Sequence, residues 1–232
     1  MPPGLPGHVV TVHVFYLHGF ASSPHGGKAQ LLAERFAPLG VTLHAPDLNE
    51  PAFETLTVTR MIGQVEAAMA ALPPGPVVLI GSSLGGFVAW HVAARAEAGA
   101  APRRVERLVL LAPALTFNAD SFDILGEDKL RLWRDSDQLE FEHYGYGEPR
   151  TIHYELVRDA ARYDPRAATV TSPVLIFQGR RDELVDAAMV EAFAATRPNV
   201  RLRLLDDDHR LYESLPAIWQ ETEAFLGVSR GH

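Results

Sequence analysis

The sequence predicts an α/β fold: about six mostly parallel strands with helices on both faces and a cap insertion. Two observations point to the layered architecture. Short β-branched, aliphatic runs alternate with helix-forming segments for most of the chain, and several of those runs are continuously apolar, as strands covered on both faces must be. A third observation points to a site. The run at residues 77–80 passes through Gly81-x-Ser83-x-Gly85 into an Ala-rich segment with no proline.

In order, the first strand covers residues 9–17 and ends in His18-Gly19-Phe20-Ala21-Ser22-Ser23-Pro24, a loop by its glycine, serines and proline. Residues 27–36 carry Leu31, Leu32 and Phe36 at helical spacing. A second strand at 41–45 is closed by Pro46-Asp47, and a helix over 58–72 stops at Pro73-Pro74-Gly75. The strand at 77–80 follows, then a helix from Leu84 to about Ala98, then a strand over 104–111. Residues 116–164 change character, being rich in charge and aromatics, with a glycine-rich turn at 145–147 and a helix around 154–162. This reads as a cap inserted into a single domain spanning 1–232, or else as a surface excursion with its own small satellite core. The core pattern resumes with a strand at 173–177, a helix at 187–195, a strand at 200–205 and a closing helix at 213–226.

Bulk properties narrow the function classes. The chain has 232 residues, 47% of them hydrophobic, and a formal net charge of −8, which argues against a nucleic-acid or anionic-membrane surface. Without cysteine there is no disulfide, thiolate nucleophile or cysteine metal site. No histidine pair has the i, i+4 spacing of a zinc-binding helix, so no metal is expected. No apolar run approaches a membrane span, and Met1-Pro2-Pro3-Gly4-Leu5-Pro6-Gly7 lacks the regions of a signal peptide, so a cytoplasmic enzyme is expected. Lysine occurs only at 28 and 129, which reads as composition bias.

A serine on a sharp strand-to-helix turn needs small residues two positions away on either side, and Ser83 has glycine at both. Ser82, its neighbour, does not. A serine nucleophile needs a histidine base held by a carboxylate. His209 follows the last strand and Asp182 follows the one before it, which gives the order Ser83, Asp182, His209. Glu183 and the run Asp206-Asp207-Asp208 are nearby acids, with the run read mostly as a solvated loop, and Asp120 and Asp123 are further alternatives. His18 is expected to shape its own loop. Two backbone donors for an oxyanion are expected at Leu84 and Phe20.

Leu17-His18-Gly19-Phe20, Ser22-Ser23-Pro24, Lys28-Ala29 and Gly81-Ser82-Ser83-Leu84-Gly85-Gly86 resemble the small bacterial YqiA-type esterases of the α/β-hydrolase superfamily. Asp208-His209-Arg210 is similar to the ABHD acyl-protein thioesterases and acyl-glucuronidases. The resemblance implies a carboxylic-ester hydrolase with Ser83, Asp182 and His209 as its triad. The chain departs from it in a longer insertion and in lacking the amino-terminal antiparallel strands of larger α/β hydrolases. The expected function is hydrolysis of a small-molecule ester or thioester through an acyl-enzyme, with no cofactor and with Trp133 and Phe141 lining the acyl pocket. A peptidase or amidase on the same residues, and a catalytically silent small-molecule-binding protein, are the alternatives.

Overall fold

A computed structural model describes residues 12–117, Phe122 and residues 125–228. The proposed strand residues 9–11, the alternative acids Asp120 and Asp123, and the tail at His232 lie outside the described residues. The elements are β1 (His13–Leu17), α1 (Gly27–Phe36), β2 (Leu43–His44), α2 (Val58–Ala70), β3 (Val77–Ser82), α3 (Leu84–Glu97), β4 (Val105–Leu111), α4 (Glu127–Ser136), β5 (Gln138–His143), β6 (Glu148–His153), α5 (Glu155–Ala160), β7 (Val174–Gly179), α6 (Ala187–Ala195), β8 (Val200–Leu205) and α7 (Leu215–Leu226).

Six strands form one sheet in the order β2-β1-β3-β4-β7-β8, and every pairing in it is parallel. Period-two alternation divides the strand residues between two cores. Phe15, Leu17, Val77, Leu79, Leu108 and Leu110 face α2, α3 and α6, whereas Val14, Tyr16, Val78, Ile80, Val109 and Leu111 face α1 and α7. Residues Leu84 to Ala93 of α3 are all buried, so the helix is enclosed on every side up to its last turn, which its Ala and Gly content permits. The chain runs from β1 outward to β2 and then returns to place β3 on β1's other side. The crevice at the C-terminal ends of β1 and β3 is therefore the switch point of the sheet, where ligands bind in such folds.

Residues between β4 and β7 supply α4, α5 and an antiparallel hairpin, β5–β6, that forms a separate two-stranded sheet. The hairpin is not among the elements expected from the sequence. Among the described residues the insertion has no satellite core: Trp133, Ile152, Leu156, Val157 and Ala160 are buried in the same cluster as α2 and α3.

Candidate active site

The turn from β3 into α3 holds Ser83 at φ 52 and ψ −118, a left-handed conformation that costs a non-glycine residue about 1–3 kcal/mol. The ends of the neighbouring strand hold it there: Ser83 N–H donates to Leu111 O at 2.9 Å, and Ala114 N–H donates to Ser83 O at 3.1 Å. The flanking glycines are required by close approach. A Cβ on Gly81 would lie 2.7 Å from Gly86 Cα, and one on Gly85 would lie 2.6 Å from His18 O.

Ser83 Oγ lies 3.1 Å from His209 Nε2, and His209 Nδ1 lies 2.9 Å from Asp182 Oδ2 and 3.1 Å from Oδ1. With the proton on Nδ1, the imidazole donates to the carboxylate and leaves Nε2 free to accept from the serine. The Asp182 side chain is fully enclosed and that of His209 is 18% exposed. Asp182 Oδ1 also accepts from the N–H groups of Leu184 at 2.9 Å and Val185 at 2.8 Å. Burial pushes this carboxyl up, but the bonds from His209, Val185 and Leu184 outweigh it and hold the group below the usual carboxylate range. Asp182 is thus ionised at neutral pH and opposes any charge that develops on the imidazole.

Sequence reasoning missed a further partner. Gln178 is wholly buried near the end of β7, and its Nε2 donates to Asp182 Oδ2 at 2.8 Å. An amide following the apolar run Val174–Phe177 was the signal.

Ser82 and Ser83 diverge. Ser82 is the last residue of β3 and, two positions on from Ile80, faces α1, where its Oγ accepts from Lys28 Nζ at 3.1 Å. Lys28 is therefore more than a composition bias. Burial pulls its ammonium down to about 8, against the upward pull of Asp208, Asp207 and Asp182. The acidic run also differs from expectation at one position. Asp207 is buried and accepts from the N–H groups of Asp208 at 2.8 Å and Ser214 at 2.9 Å, which ties the loop to the start of α7. Asp206 and Asp208 are exposed.

The loop after β1 lies against the elbow, since a Cβ on Gly19 would be 3.2 Å from Ser83 Cβ. The N–H groups of Phe20 and Leu84 have no acceptor among the described residues, and the Leu84 N–H opens α3, where the helix dipole favours negative charge. His18 is buried and shapes the loop, as expected: its Nε2 accepts from Leu48 N–H at 3.0 Å, and its Nδ1 donates to Gly19 O at 3.0 Å. Phe141 is half-buried, edge-on to Phe20 with ring centres 5.2 Å apart. Trp133 is fully enclosed behind it and donates from Nε1 to Ile152 O at 2.9 Å, so its own ring presents no surface to a pocket. Among the described residues no group of three or more His, Asp or Glu side chains could hold a metal ion, and no helix is long and apolar enough to cross a membrane.

A parallel sheet in this order, with a strained serine at its switch point bonded to a histidine and a buried aspartate, defines an α/β hydrolase. More particularly, the chain belongs to the family described as uncharacterised protein family UPF0227, whose model matches residues 13–226. It is 31% identical to a pimeloyl-[acyl-carrier protein] methyl ester esterase of Xanthomonas campestris over 82% of this chain and 84% of that one. It is 26% identical to the mitochondrial palmitoyl-protein thioesterase ABHD10 of Bos taurus over 86% of this chain and 67% of that one. The structure of the alpha/beta hydrolase domain-containing protein 10 from mouse superposes with a TM-score of 0.76 at 22% identity, covering 93% of this chain and 88% of that one. The chain is a hydrolase of the carboxylesterase and thioesterase type.

Proposed function

We propose that Ser83 is the nucleophile, His209 the general base and acid, and Asp182 the carboxylate that orients His209, in the hydrolysis of a carboxylic ester or thioester through an acyl-enzyme. Ser83 Oγ attacks the substrate carbonyl while its proton passes to His209 Nε2. The carbonyl oxygen takes up the negative charge and is met by the Phe20 and Leu84 N–H groups. The intermediate then collapses, and His209 returns the proton to the departing alkoxide or thiolate. Water repeats the sequence on the Ser83 ester, giving back its proton through His209 and releasing the acid. No redox partner or group carrier enters this balance.

One observation carries the reading: a continuous hydrogen-bond chain runs from Ser83 Oγ through both nitrogens of His209 to a fully enclosed Asp182. The two named relatives, one a methyl ester esterase and one a thioesterase, support acyl substrates. The insertion 116–164 acts as a cap on a single domain, with Phe141 as the aromatic that meets the acyl chain and Trp133 as its backing.

A fluorophosphonate probe tests the assignment. Stoichiometric labelling of Ser83, with turnover of p-nitrophenyl esters or acyl-thioesters, is expected. An unlabelled, inactive protein would instead be a binding module on this fold.

A further inference from the structure

The insertion meets the rest of the protein at a specific place. The β5–β6 turn, residues 144–147, docks on the loop that follows β1. Gly145 N–H donates to Ala21 O at 3.3 Å. Gly145 also lies so close to that loop that a Cβ on it would stand 2.8 Å from Ser22 C and 2.8 Å from Ser23 Cβ. One strand back, the Phe141 ring is edge-on to Phe20, and the His143 ring is edge-on to Phe53 at 4.6 Å. Phe53 in turn packs on Phe20 at 5.4 Å. The loop is held from its other side by Asn49 Nδ2, which donates to Ser22 O at 2.8 Å.

The loop needs such holding. Ala21 is buried at φ 51, in the left-handed region that a residue with a Cβ occupies only when its surroundings enforce it. It directly follows Phe20, whose N–H is one of the two donors assigned to the oxyanion. A donor contributes fully only where it is already aimed at the developing charge, and a small displacement sacrifices much of that contribution.

We propose that Gly145 is a positioning residue: the β5–β6 hairpin clamps the loop from His18 to Ser23 so that the Phe20 N–H is preorganised for the oxyanion. The insertion would then serve the chemical step as well as covering the acyl group. This inference rests on the serine-hydrolase reading above. It assigns the hairpin a fixed seat, so this half of the insertion does not swing away as a lid.

Gly145 is well suited to a test because its backbone is not among the left-handed positions of the described residues, so alanine there is opposed by the Ser22 and Ser23 contacts and not by its own backbone conformation. Gly147 lies two residues on at φ 71, where a Cβ would meet nothing within 4 Å, so alanine there strains the same turn without touching the loop. Gly145→Ala is expected to lower kcat on a p-nitrophenyl ester by about 10- to 100-fold, a part of the roughly 10²–10³-fold loss seen when an oxyanion donor is removed altogether. KM should stay within about twofold. Gly147→Ala should keep kcat within about threefold.

Circular dichroism melts accompany each variant. Should Gly145→Ala unfold, replacing residues 144–147 by Asn-Gly shortens the hairpin through a two-residue turn and withdraws its tip without pressing an atom on the loop. The same fall in kcat at steady KM is then expected. Wild-type kcat in a folded variant that has lost the contact, with Ser83 still labelled by fluorophosphonate, overturns the clamp and leaves the hydrolase reading standing. A wild-type protein that is neither labelled nor active overturns both.

Discussion

Ser82 and Ser83 are adjacent in the chain but their hydroxyls meet different partners. Ser82 Oγ accepts from Lys28 Nζ at 3.1 Å on the α1 side, while Ser83 Oγ meets His209 Nε2 at 3.1 Å above the strand ends. The divergence follows from geometry: β3 alternates its side chains up to Ser82, and the left-handed φ at Ser83 then turns the next one out of the pattern.

The two serines should therefore fail differently. Ser83→Ala is expected to abolish ester hydrolysis while leaving the melting temperature near wild type. Ser82→Ala should keep most of the turnover and lose about 1–3 kcal/mol of stability, because it strips an acceptor from a largely buried ammonium. Steady-state kinetics and urea unfolding on both variants check this. Equal losses of turnover at equal stability would undo the assignment of the nucleophile.

Lys28 links this pair to pH. Its folded pKa of about 8 lies below the ordinary 10.5, so between those values the folded protein binds fewer protons than the unfolded chain. The cost of burying the charge is then fully present below about pH 8 and is relieved as the pH climbs toward 10.5. At about 1.4 kcal/mol per pH unit, the whole relief amounts to at most about 3.5 kcal/mol. Relative to Lys28→Met, which has no proton to lose, the wild-type protein should gain stability across that window. Urea midpoints at pH 7, 8, 9 and 10 measure it. A constant difference between the two proteins would mean that Lys28 is not held as a buried cation.

The aromatics of the insertion divide into packing and contact. Trp133 is fully enclosed, ringed by Phe122, Phe141 and Tyr154, so Trp133→Ala should cost about 3–5 kcal/mol of stability. Phe141 is half-buried at the loop after β1, and Phe141→Ala should shift chain-length preference on p-nitrophenyl esters more than it slows acetate hydrolysis. An unchanged preference profile would leave the acyl-pocket role without support.

Much of this architecture was legible from local pattern. The ranges of α1, α6 and β8 match the expected segments, because apolar spacing and flanking breakers bound them. The elbow was legible because only glycine tolerates the approach of β1 to the start of α3. The β5–β6 hairpin was missed although Gln138, Glu140 and Glu142 are exposed and alternate with Leu139, Phe141 and His143. That is period-two patterning, obscured by the number of charges in it. The Lys28–Ser82 bond spans 54 residues and depends on α1 crossing the end of β3, a tertiary fact no window of sequence contains. The seat of Gly145 on Ser22 and Ser23 is of the same kind.

The carboxylate is the member of the site with the most rivals in the sequence, and the geometry separates them sharply. Both oxygens of Asp182 lie within 3.1 Å of His209 Nδ1, and its side chain is enclosed, with Gln178 and two loop amides completing its bonds. Asp208 is next to His209 in the chain but exposed, and its Oδ1 accepts from Arg210 N–H at 2.8 Å, away from the imidazole. An orienting carboxylate keeps the proton on Nδ1 and opposes the charge of the imidazolium. Its amide replacement can present an N–H to Nδ1 and so favour the wrong tautomer. Asp182→Asn is therefore expected to reduce kcat by roughly 10⁴-fold with little change in KM. Asp208→Asn removes an exposed charge while its amide oxygen can still accept from Arg210 N–H, and should cost under about tenfold. Measured on one activated ester, with Ser83 labelling rates alongside, the two variants should differ by at least about 10²-fold. If Asp208→Asn proves the crippled one and Asp182→Asn turns over normally, the third member of the site is misassigned despite its geometry.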